Sequence, residues 1–177
     1  KKFLIIGNGN AVTYKEIFPL IKENKLWLGN KSFSGGMDFV AGENYDRNKC
    51  KHPKYDDKGN IIINVMMCVW FTNIEHKKRH EPLDLYKKYS AEEYPKYDNY
   101  DAIECGKVSD IPMDYDGVIG VPITFLDKYC PEQFEILDIN PHFFSMIEKG
   151  LPKPKQLTLH SVGKKDPYAR ILIRAKH

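Results

Sequence analysis

The first residues with chemical potential are Gly7, Asn8, Gly9, Asn10 and Ala11, a Gly-x-Gly that follows an apolar run and precedes a helical pattern. Dinucleotide binding would want a third small residue where Val12 stands, and an acidic residue after a second strand about 20 positions on. Val12 is bulky and the second strand runs into Gly29-Asn30. The motif therefore reads as a tight turn that uses glycine for positive φ. Cys50, His52, Cys68, His76 and His80 loosely echo a zinc donor set. The cysteines are too far apart, however, Cys68 sits in an apolar run, and "HKKRH" would place cations beside the ion. No metal is expected. That basic cluster, His76 to His80, is followed by Lys87 and Lys88 and flanked by tyrosines. Cations beside aromatic rings suit a nucleic-acid backbone with stacked bases, and a solvated surface run accounts for the same residues. Nucleophilic catalysis finds no Gly-x-Ser-x-Gly and no cysteine in a catalytic context. Carboxylates crowd "DYDG" and "PKYDNYD", yet no one pair stands out as acid and base.

The elements that must hold these residues begin with a strand over 2–7, apolar enough to be buried on both faces. A turn follows over 8–11, then a helix over roughly 13–24, with Thr13 and Glu16 placed as a capping box and Pro19 weakening its middle. "KLWLG", 25–29, supplies a second strand, so the opening reads as a β-α-β unit. Residues 30–60 are polar and without periodicity, a long loop or insertion. "NIIINVMMCVWFTNI", 60–74, is the longest apolar run and reads as a central strand interrupted near Asn64 or Met66. Short strands follow at "AIEC" and around Gly120 and Pro122. An amphipathic helix fits 141–150 through Phe143, Phe144 and Ile147, and "YARILIRAKH" closes the sequence as a strand. The fold class is α/β: parallel strands with antiparallel additions. We place a core over 1–137, with the insertion inside it, and a C-terminal extension over 138–177.

Composition excludes several classes. With 29% charged and 42% hydrophobic residues the chain has ordinary globular usage rather than that of a disordered one. A net charge of +3 does not by itself indicate nucleic acid. Four scattered cysteines without a Cys-x-x-Cys point to reduced thiols. No apolar run approaches the roughly 20 residues of a membrane span, so a soluble, cytoplasmic protein with no membrane partner is expected.

Several long stretches carry a resemblance. "KKFLIIGNGNAVTYKEIFPLIKENKLWLG" at 1–29, "WFTNIEHKKRHEPLDLYKKY" at 70–89 and "YPKYDNYDAIECGKVSDIPMDYDGVIGVPITFLDKYCPEQFEIL" at 94–137, with the terminal "YARILIR", together resemble the EcoRI-type adenine-specific DNA methyltransferases of restriction–modification systems. The resemblance implies a Rossmann-like fold, S-adenosylmethionine as cofactor, and the exocyclic amino group of an adenine in double-stranded DNA as substrate. It implies a mechanism that extrudes the base from the stack. In that family an Asn-Pro-Pro-Phe motif grips the adenine at the end of the strand just before the one that opens this sequence. No such motif occurs in these 177 residues. They therefore resemble the C-terminal portion of the enzyme, with no catalytic residue of their own, and are expected neither to bind the cofactor tightly nor to methylate DNA alone. A non-enzymatic DNA-binding or interaction module derived from such an enzyme is the alternative. By the same resemblance Asn8 and Asn10 border the adenine pocket or stabilise their turn, and Lys77, Lys78 and Arg79 are candidates for DNA phosphates. Tyr97, Asn99, Tyr100 and Asp101 are candidates for stacking or hydrogen bonding to DNA. Residues 3–6 are expected at an exposed sheet edge, open to pairing with a second copy.

Overall fold

The opening apolar run forms a strand, Leu4–Asn8 (β1), yet Leu4, Ile5 and Ile6 are 54%, 55% and 41% exposed. Its place in the sheet explains this. In the computed structural model, which describes residues 1–46 and 53–176, β1 pairs on one side only, antiparallel to Cys68–Thr72 (β6). Trp27–Leu28 (β2) pairs with the other side of β6, also antiparallel. β1 and β2 thus run parallel to each other but are not neighbours; the returning strand lies between them. The expected burial on two faces applies to β6 instead, where Cys68, Val69, Phe71 and Thr72 are all buried.

The helix expected over 13–24 is shorter. Gly9–Thr13 is a 3-10 turn, and Thr13 does not cap a helix; its hydroxyl donates to the Asn10 carbonyl. The helix proper is Phe18–Lys22 (α1), with Pro19 in its first turn, where an absent N–H breaks no intrahelical bond. Phe18 and Ile21 enter the core.

The insertion is partly sheet rather than loop. Met37–Val40 (β3) and Lys54–Tyr55 (β4) both pair antiparallel with Ile61–Val65 (β5). The long apolar run is cut where expected, at Met66 and Met67. Met67 takes positive φ, 55°, and sends β5 into the small sheet and β6 into the first.

The third sheet holds Lys96–Tyr97 (β7), Tyr100–Glu104 (β8), Ile119–Pro122 (β9), Phe134–Asn140 (β10) and Arg170–Ala175 (β11), in the order β10-β11-β9-β8-β7. Only β8 and β9 pair in parallel there. β11 is read correctly as a strand, and its alternation shows why it is central. Ile171 and Ile173 face the main core, shared with Val69, Phe71 and α1, while Leu172 enters a second core with Tyr97, Phe143 and Leu157. β10 crosses the boundary we drew at residue 137, and β11 lies between β10 and β9. The helix expected over 141–150 shrinks to Phe144–Glu148 (α2). Phe143, at φ 52°, is fully buried before it, and Ile147 stays exposed. The chain is therefore mixed α/β with a five-stranded mixed sheet. No helix among the described residues is long and apolar enough to cross a membrane.

Candidate nucleic-acid interface

Because β1 and β2 run parallel, Asn8 and Gly29-Asn30 leave the first sheet at the same carboxyl edge, where open α/β sheets place ligands. The turn there is internally closed. Asn8 Oδ1 accepts from Asn10 N at 2.9 Å, and Gly9 N donates to the Met67 carbonyl at 2.6 Å. Asn8 therefore has a turn-stabilising role, and both asparagines are exposed. With those N–H groups already bonded inward, the turn offers no cradle for S-adenosylmethionine, and these residues do not fit that cofactor.

The basic cluster divides in two. It forms a 3-10 turn, Lys77–His80, in which Arg79, expected at DNA, is buried instead. Its guanidinium lies 3.8 Å from the centroid of the Trp27 ring, pairs with Glu75 through Nη1 and donates to Asn24 Oδ1 at 2.8 Å. An arginine stacked and paired in this way holds β2 to the turn. His76 Nε2 donates to the Leu28 carbonyl at 2.9 Å. Lys77 is left exposed, and Lys78 half-exposed with Nζ 3.3 Å from the Asn30 carbonyl.

His80 sits between two carboxylates, Nε2 to Glu75 and Nδ1 to Glu132, each at 2.8 Å. The hydrogen bond to Glu75, then that to Glu132, hold its pKa above the usual imidazole value of 6.5. A group raised on folding adds stability that is complete below its unfolded pKa and is lost as pH rises through its folded one. The contact between the basic turn and the Pro131 segment is therefore tightest in mild acid and weakens on the alkaline side of 6.5. In a proton-NMR titration, the His80 midpoint should lie above 6.5 and drop in Glu132→Gln. An unchanged midpoint in that variant would remove Glu132 as a cause.

The loop expected near substrate divides similarly. Tyr97 is buried, and its hydroxyl donates to the Glu104 carboxylate, which is also held by Arg170 Nη2 at 2.7 Å. Burial, then the Glu104 charge, push the tyrosine pKa far upward. Tyr97 is thus a core residue, not an available stacking face. Tyr100 is half-buried against Phe143, with centroids 5.6 Å apart. Asn99 is exposed and clamps the segment after Lys155, donating to the Gln156 carbonyl at 2.7 Å and accepting from Thr158 N at 3.1 Å. Asp101 is exposed, with its carboxylate 3.5 Å from Lys96 Nζ.

Two hollows extend the surface beyond Lys78. One, of about 330 Å³, sets Lys78 and Lys128 beside Glu81, Asp84 and Tyr86; the other, of about 360 Å³, includes Lys107, Lys128 and Phe33. Asp127 borders both and anchors the Ser32-Phe33 loop, accepting from Phe33 N at 2.9 Å and Ser32 Oγ at 2.9 Å. Sequence reasoning missed Lys107 and Lys128 because each is a lone lysine in an ordinary context. Only the fold brings Lys128 into one hollow with Lys78, and Lys107 into the next with Lys128.

Of the loose zinc set, Cys50 and His52 lie outside the described residues. Among the described residues no group of three or more His, Cys, Asp or Glu side chains is placed to hold a metal ion. Cys68, Cys105 and Cys130 are buried free thiols, and burial pushes Cys105 up to about 11.

Comparison with known proteins gives this geometry a context. The profile of the family described as adenine-specific methyltransferase EcoRI matches residues 1–176. The chain is 48% identical, over 99% of its length, to the type II methyltransferase M.EcoRI of Escherichia coli, covering 51% of that protein. It is 34% identical to M.MgeORF184P of Mycoplasma genitalium and 33% identical to M.MpnI of Mycoplasma pneumoniae, both type II methyltransferases, covering 57% of each. It thus spans about half the length of the curated relatives it matches. No solved structure matches the chain significantly.

Proposed function

This chain belongs to the EcoRI adenine-specific methyltransferase family, and from that premise we propose that it is the target-side half of a DNA adenine methyltransferase of a restriction–modification system. The intact protein transfers a methyl group from S-adenosylmethionine to the amino group of an adenine in duplex DNA, in the cytoplasm. The cofactor belongs to the remainder of that protein, since the turn after β1 does not fit it. The observation that carries the reading is the family match across residues 1–176. The structure is compatible with it. Two parallel strands separated by an antiparallel one, with a free β1 edge, suit the C-terminal portion of a Rossmann-like methyltransferase sheet. The strand bearing the catalytic motif would dock on that edge.

The exposed asparagines then border the adenine, and Lys77 and Lys78 meet phosphates, with Asn99, Tyr100 and Asp101 near the duplex. These 177 residues alone would be inactive; left without its neighbour, β1 is where a second copy of the isolated chain would pair. The test is methyl transfer from labelled S-adenosylmethionine to genomic DNA, followed by mapping of the modified base. The intact gene product should label one adenine in a fixed sequence context, and the 177-residue chain should label none. Duplex binding by the intact protein with no labelled adenine would instead indicate a non-enzymatic DNA-binding module. Labelling by the isolated chain would overturn its assigned inactivity.

A further inference from the structure

Met66, 65% exposed, is the most exposed large aliphatic side chain among the described residues, and Val65 beside it is 43% exposed. Its backbone is not a loose loop. Met67, at φ 55°, packs its own side chain against the main core, and its carbonyl accepts from Gly9 N. On the other side Gly36, at φ 62°, approaches so closely that a Cβ there would stand 2.5 Å from the Val65 carbonyl oxygen. Asn64 Nδ2 ties the same turn to the Gly35 carbonyl at 2.9 Å and to Asp38 at 2.7 Å. Three constraints thus hold an apolar tip outward. The register sets its position: Asn8 pairs with Cys68, two residues after Met66, and Gly9 bonds to Met67. The tip therefore stands beside Asn8 and Asn10, at the carboxyl edge of β1.

We propose that Met66 is a DNA wedge, a positioning residue that enters the base stack and occupies the space vacated when the target adenine is extruded. This rests on the proposed methyltransferase reading. Extrusion costs unstacking and unpairing, and proteins that open a duplex insert apolar side chains, methionine among them, between base steps. A flexible thioether chain fits such an irregular gap. Rigid mounting also means that little ordering is required at the moment of insertion.

The experiment uses the intact protein and a duplex with 2-aminopurine, whose emission rises on unstacking, in place of the adenine mapped above. Wild-type protein should raise the emission. Met66→Ala should reduce the equilibrium constant for extrusion about tenfold, equivalent to about 1.4 kcal/mol, while Met66→Leu keeps it within about twofold. When the target sits in a mismatch, where unpairing costs less, the alanine defect should shrink. Failure of the mapping assay to find a labelled adenine overturns the methyltransferase reading and this inference with it, whereas no rise with wild type at a mapped adenine overturns this inference alone. A wild-type rise that Met66→Ala leaves intact overturns this inference alone, as does an alanine defect equally large on the mismatched duplex.

Discussion

Glu104→Gln is expected to destabilise the 177-residue chain by about 3–5 kcal/mol, a large share of the roughly 5–15 kcal/mol that holds a domain folded. The Glu104 and Arg170 side chains are only 10% and 16% exposed. The carboxylate accepts from Arg170 Nη2 at 2.7 Å, from Arg170 Nε at 3.0 and 3.1 Å, and from the Tyr97 hydroxyl. Removing its charge leaves a guanidinium desolvated without its anion, and the new amide N–H group competes with donors already in place. The network also leaves no room. A Cβ on Gly120 would lie 2.1 Å from Tyr97 Oη, so Gly120→Ala should cost about 1–3 kcal/mol by overpacking. Tyr97→Phe, which removes one donor but keeps the ring, should cost less than Glu104→Gln. Because these residues share one network, their costs should not add. Urea unfolding checks this: a Glu104→Gln midpoint matching wild type would mean that the buried pair contributes nothing net.

This network was invisible to sequence reasoning for a physical reason. Tyr97 sits in a polar, tyrosine-rich stretch that looks solvent-facing, and the arginine that completes the network lies on β11, at the other end of the chain. Arg79 was misplaced in the same way. In "HKKRH" it is one cation among several, and only the return of β2 brings Trp27 and Asn24 against it. What could be read was local. The break in the 60–74 run, the short second strand and the closing strand follow from apolar runs and their interruptions. The helix over 13–24 failed because the asparagine turn closes on itself and Pro19 suits a new start better than a continuation. The exposed edge expected over residues 3–6 agrees with the pairing of β1 to β6 alone, while burial on both faces does not hold, because an apolar run specifies a strand but not how many neighbours the sheet gives it. Exposure leaves Asn8, Asn10, Lys77 and Lys78 accessible, as their expected roles require. Lys107, Lys128 and Met66 are proposed from their placement, which only the fold supplies.

The division of the basic cluster yields the second large effect, on DNA binding by the intact protein. Replacing Lys77 and Lys78 together by alanine should weaken duplex affinity about tenfold or more near physiological salt. It should also make the plot of log K against log salt shallower by about 2, since each phosphate contact releases nearly one counterion. Neither side chain is buried, so stability should change by less than about 0.5 kcal/mol. Arg79→Ala should do the opposite. Its guanidinium is committed to Trp27, Glu75 and Asn24, so its loss lowers the unfolding midpoint and leaves the salt slope of the folded protein unchanged. Lys107→Ala and Lys128→Ala then locate the limits of the contact. If the DNA backbone follows the two hollows around Asp127, each should reduce the slope by about a further unit. A double Lys77/Lys78 variant with an unaltered slope would move the DNA off this face. An Arg79 variant that flattened the slope would show that the stacked guanidinium swings out to meet phosphate, reversing the structural role assigned to it.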